Sequence, residues 1–130
     1  TPSLMKSTKP VIFQVFHRLA EKAEQMWIHH VALPHHGRWR LRPSGSEWKK
    51  RDWALVDRSF HAGARWMLKP FQQVCGFDRQ PPGEDWTKAL RAVHREIRAE
   101  DWTLAESLSH GWNCGRVFLE LWIQAERFPK

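Results

Sequence analysis

The chain has 130 residues, a formal net charge of +7 and 42% hydrophobic residues, which fits one domain with enough apolar material for its own core. Its only cysteines, Cys75 and Cys114, make neither a disulfide framework nor a C-x-x-C pair, and no apolar run approaches the roughly 18 residues of a membrane span. The opening Thr-Pro-Ser-Leu-Met-Lys lacks the charged-then-apolar order of a signal peptide, so reduced thiols and a cytoplasmic location are expected.

Thr8 is placed to cap a first helix, with Pro10 tolerated in its opening turn. Ile12, Phe16, Leu19, Ala20, Ala23, Met26 or Trp27, and His30 then recur at helical spacing. Pro34 disfavours helix just before it, which puts the end near Val31. Residues 33–45 read as a basic loop; the Arg38–Arg42 alternation would suit a short strand, but Pro43 and Gly45 leave it little room. Ser46 and Glu47 suit the start of a second helix. Its apolar stripe is Trp53, Val56, Phe60, Ala64, Met67, Phe71 and Val74, weakened at Gly63 and kinked or stopped at Pro70. The expectation is a long helix over 46–69, then a short segment closed by Gly76.

A Pro-Pro-Gly loop precedes a third helix, which starts at Glu84 or Asp85 and carries Trp86, Leu90, Val93 and Ile97 on one face. A fourth is expected from Asp101 to Gly111. Asn113 is placed to cap a fifth, burying Val117, Phe118, Leu121, Trp122 and Ala125. The class is all-α, a bundle of four to five helices in a single domain over 1–130. Phe16, Leu19, Val56, Phe60, Leu90, Val93, Leu121 and Trp122 are the expected core. Asp-Trp occurs at 52–53, 85–86 and 101–102, each near a helix start; a first-turn Asp with a docking Trp explains this better than a repeat.

Charge is uneven along the chain. Residues 1–50 carry +6, 51–100 carry +2 and 101–130 carry −1, so an anionic partner is expected on one side. The densest segment places Arg38, Arg40 and Arg42 around Trp39 and Leu41, then sets Trp48 before Lys49, Lys50 and Arg51. Guanidinium and ammonium groups neutralise phosphates, and indoles stack on bases. These residues are the expected nucleic-acid-binding set, with Trp39 and Trp48 stacking or packing beside the cations. Lys6, Lys9, Arg18 and Lys22 would extend the patch. Nine tryptophans are more than a domain this size buries readily, so one or two are expected at a partner surface.

Other constellations point elsewhere with less force. His29-His30 and His35-His36 have zinc-ligand chemistry but match no standard zinc spacing. His61 lies one helical turn from Asp57, an arrangement able to orient a base. Cys114, at the proposed start of the fifth helix, would have its thiol pKa lowered by the helix dipole. No catalytic residue, metal or cofactor is assigned. The run Val117 to Ile123 is apolar around most of its circumference, which suits a central helix, a protein partner or self-association.

In size, helical class and one-sided basic charge, the chain resembles the small helical subunits of RNA-guided effector complexes. The likeness is one of class, and it implies a place in a larger nucleoprotein complex, packed side by side and holding nucleic-acid backbone. The functional expectation is thus a non-enzymatic nucleic-acid-binding protein. The alternatives are a protein-interaction module using a Trp-rich surface and a metal- or thiol-dependent enzyme using the histidines and Cys114.

Overall fold

The computed structural model describes residues 2–32 and 48–127, with side chains over 13–32, 48–73 and 76–126. Four α-helices account for most of it: α1 (Pro2–Trp27), α2 (Lys50–Cys75), α3 (Gly83–Ala99) and α4 (Leu104–Arg127). A π turn, Ile28–Ala32, extends α1. The all-α class is borne out, with no β-strand among the described residues.

The helix ends follow local chemistry. α2 starts at Lys50 rather than at residue 46, where the buried Asp52 carboxylate accepts the Lys49 backbone N–H at 2.8 Å. It runs through Pro70 because Met67, Leu68 and Phe71, all buried, hold that turn against the core. Gly76, left-handed at φ 64°, closes it as expected, and the Phe77 N–H turns back to the Phe71 carbonyl at 3.1 Å. α1 passes through Thr8 and Pro10 instead of starting there. At the start of α4, Thr103 and Glu106 form a reciprocal capping box: the Glu106 N–H donates to the Thr103 hydroxyl, and the Thr103 N–H donates to the Glu106 carboxylate at 3.0 Å. The Thr103 backbone N–H, and after it the Thr103 hydroxyl, hold the Glu106 carboxyl below the usual range by donating to it.

The largest departure from the sequence reading is that the fourth and fifth expected helices are one. α4 runs unbroken through Gly111 and Asn113. Gly111 and Gly115 are buried where α4 crosses α2 so closely that backbones touch. A Cβ on Gly115 would sit 1.9 Å from the Phe60 carbonyl oxygen, and one on Gly63 would sit 1.9 Å from the Trp112 carbonyl oxygen. Gly63 therefore marks this crossing rather than a weak point in α2. Nearby, the buried Ser59 hydroxyl donates to the Leu108 carbonyl at 2.5 Å.

Two core clusters lie along this seam. One joins Val56, Phe60, Leu104 and Leu108 to Val93 and Ile97 of α3 and to Ile28 and Ala32 after α1. The other joins Ala64, Met67, Phe71, Leu119 and Ile123 to Phe13 and Phe77. Trp86 packs against both. Val56, Phe60 and Val93 are buried as expected, while Phe16, Leu90 and Trp122 are half-buried. Leu19 and Leu121 are not core: they are 55% and 58% exposed, and Ala125 is exposed too. Helical spacing places them on an apolar stripe, but no described helix covers that edge of the stripe.

Candidate functional site

Half of the expected binding set lies outside the described residues: Arg38, Trp39, Arg40 and Arg42, as do the side chains of Lys6 and Lys9. The other half is in place at the start of α2. Lys49, Lys50 and Arg51 are exposed, and Trp48 is buried at 8%, its ring tilted against Trp53 at 4.7 Å. Trp48 therefore packs on protein rather than presenting a face for stacking. The other described tryptophans are half-buried or buried as well, and the half-buried ones, Trp53 among them, keep part of the ring at the surface.

Trp53 connects this helix start to α3. The Arg98 guanidinium lies over its ring at 4.7 Å, and His94 lies beside it at 4.8 Å, donating from Nε2 to the Asp57 carboxylate at 2.6 Å. The Asp57–His61 pair expected from spacing is not formed; His61 stacks instead on Trp86 at 4.9 Å.

From Arg98 a second run of cations, missed by the sequence reading, extends along α3. Lys88, Arg91, Arg95 and Arg98 are spaced i, i+3, i+7 and i+10, and all four are exposed. They lie opposite the inward stripe of Trp86, Leu90, Val93 and Ile97 and cover about 15 Å of helix. Among the described residues, Lys88, Arg91, Arg95, Lys49, Lys50 and Arg51 form no ion pair, whereas Arg79 and Arg116 face Glu126 and Glu120. Arg18 and Lys22 are exposed on α1.

A separate polar cluster sits between α3 and α4. His110 and Cys114 are one turn apart on α4, and Glu96 reaches them from α3. The His110 Nε2 contacts the Glu96 carboxylate and is also the nearer ring nitrogen to Cys114 Sγ, at 3.4 Å against 3.9 Å for Nδ1. A base relay needs the acid on one ring nitrogen and the nucleophile on the other. Here one nitrogen faces both. Cys114 also lies in mid-helix rather than at an N-terminus, and burial, with the Glu96 charge second, pushes its thiol up to about 11. The thiol is not activated.

On the far side of α4, Asn113 does not cap a helix. Its Nδ2 donates to Glu24 of α1 at 2.8 Å, and the Ser109 hydroxyl donates to the same carboxylate. His17 and Glu120 make a second tie at 2.5 Å. No described helix is long and apolar enough to cross a membrane. No protein-family model, curated protein or solved structure matches the chain.

Proposed function

We propose that this protein binds the phosphate backbone of nucleic acid through one cationic face, without base chemistry of its own. The observation that carries the reading is the run of exposed cations from Lys88 to Arg98, without ion-pair partners among the described residues, continued by Lys49, Lys50 and Arg51 across the Arg98–Trp53 contact. Lys50 precedes Trp53 by three residues on the same face of α2, so the two runs adjoin at one indole. Side chains spaced about 4 to 6 Å along a helix axis can follow a polyanion, and Arg38, Arg40 and Arg42 precede Trp48 in the sequence.

The test is anisotropy of a labelled oligonucleotide across a salt series. If the seven cations all meet phosphates, log K falls against log salt with a slope of about −6 on duplex or about −5 on single strands. Replacing Arg91 and Arg95 with Ala flattens the line by about 1.4 to 1.8 units and leaves the helical signal unchanged. Equal binding by wild type and variant on single- and double-stranded DNA and RNA would remove α3 from the interface.

A second reading, a protein partner or self-association through the last helix, is favoured by one observation. Val117 and Leu121 of α4 are 37% and 58% exposed beside an apolar hollow lined by Ala89, Ala92 and Phe118. It predicts weak, salt-insensitive oligonucleotide binding and a concentration-dependent mass in sedimentation.

A further inference from the structure

We propose that Glu96, His110 and Cys114 form a binding site for a transition-metal dication, zinc above all, with three protein ligands and one open position. One ligand atom from each of the three lies within 4.8 Å of the others. The donors come from two helices packed on one core: His110 and Cys114 project from successive turns of α4, and α3 supplies Glu96 after burying Val93 and Ile97 on its inner face. The ring of Trp102 stands 4.8 Å from that of His110, tilted against it at 56°.

The distances lie close to those of a coordinated ion, with one ligand to shift. Zn–N of about 2.0–2.1 Å and Zn–S of about 2.3 Å in a tetrahedron set the N to S edge at about 3.6 Å. The His110 Nε2 to Cys114 Sγ distance is 3.4 Å, already near that edge. Only Glu96 must move, backing off from hydrogen-bond contact to an N to O edge of about 3.4 Å. Its side chain is 53% exposed and free to do so. That His110 nitrogen turns toward both acid and thiol, useless for a relay, is what a shared cation requires.

The charges agree. A thiolate, a carboxylate and a neutral imidazole carry −2, which a dication neutralises; the thiol proton leaves to solvent as the Zn–S bond forms. Sulfur, nitrogen and oxygen together are a borderline-soft donor set, which selects zinc or cobalt over magnesium or calcium. The open position faces the hollow between α3 and α4 lined by Phe60, Ala92 and Phe118, so a fourth ligand would enter from there. This site is independent of the cationic face.

Cobalt(II) titration of the full chain tests it. One equivalent should give a tetrahedral visible spectrum with a thiolate-to-cobalt charge-transfer band, bleached by one equivalent of zinc. Cys114→Ser should abolish the charge-transfer band and Cys75→Ser should keep it. His110→Ala and Glu96→Gln should each weaken zinc by about 10–100-fold or more. Glu96 is exposed, so Glu96→Gln keeps the test valid if a core-side variant fails to fold. No thiolate band in the wild type, a band that survives Cys114→Ser, or unchanged zinc affinity in Glu96→Gln would each overturn the site.

Discussion

The α2–α4 seam and α1 are both amphipathic helix packings, yet they are held by different means. Along the seam the backbones touch. Gly63 and Gly115 admit the Trp112 and Phe60 carbonyls, and Val56, Phe60, Ala64 and Met67 have no exposed surface. α1 makes a looser contact. It buries Phe13, Ala20 and Glu24, leaves Val15, Leu19 and Met26 about half exposed, and is tied to α4 by the Glu24 and His17 hydrogen bonds. Apolar spacing alone does not separate these cases. Backbone approach sets the register of the seam, and buried polar hooks set the docking of α1.

The sharpest way to break the comparison is to add one methyl group. Helix propensity alone predicts that Gly115→Ala stabilises by about 1 kcal/mol. Its Cβ would meet backbone, which has no rotamer to escape into, so the expected outcome is a loss of about 3 kcal/mol by urea denaturation. Gly63→Ala should behave alike, and Gly111→Ala less severely, since its Cβ would lie 3.2 Å from the Val56 carbonyl oxygen. A stabilised Gly115→Ala would refute the close crossing.

Next in size is the hook. Glu24→Ala strips two donors, the Ser109 hydroxyl and Asn113 Nδ2, of their common acceptor and should cost about 2 kcal/mol. Hydrogen exchange should accelerate in α1 before it does in α2. Uniform acceleration would mean that α1 is as integral as the seam. The smallest effect is expected at Leu19→Ser, within about 0.5 kcal/mol in thermal melts, because the side chain already faces solvent. A loss several times larger would return Leu19 to the core.

The same contrast explains what the sequence made legible. Val56, Phe60, Val93 and Ile97 were readable because each lies at the centre of its stripe, where any packing partner must cover it. Leu19 and Leu121 lie at stripe edges, and periodicity does not say how wide the neighbour is. Gly111 reads as a stop on propensity; only the α2 backbone beside it reveals a crossing. The cations at 88, 91, 95 and 98 were fully legible as a helical stripe, but the denser run at 38–51 drew the binding assignment away from them. His110 and Cys114 carry a readable i, i+4 spacing. Glu96 does not, because tertiary packing alone brings α3 to them.

The two glycines of the crossing also bear on descent. A cationic face tolerates shifts of its charges by a turn, since a polyanion reads charge more than shape. Positions 63 and 115 tolerate no side chain at all while α2 and α4 keep this crossing. Diverging lineages of this fold would thus rewrite almost every surface letter, and the pair of glycines, spaced so that each faces the other helix's carbonyl, would be the lasting signature by which they could be recognised as kin.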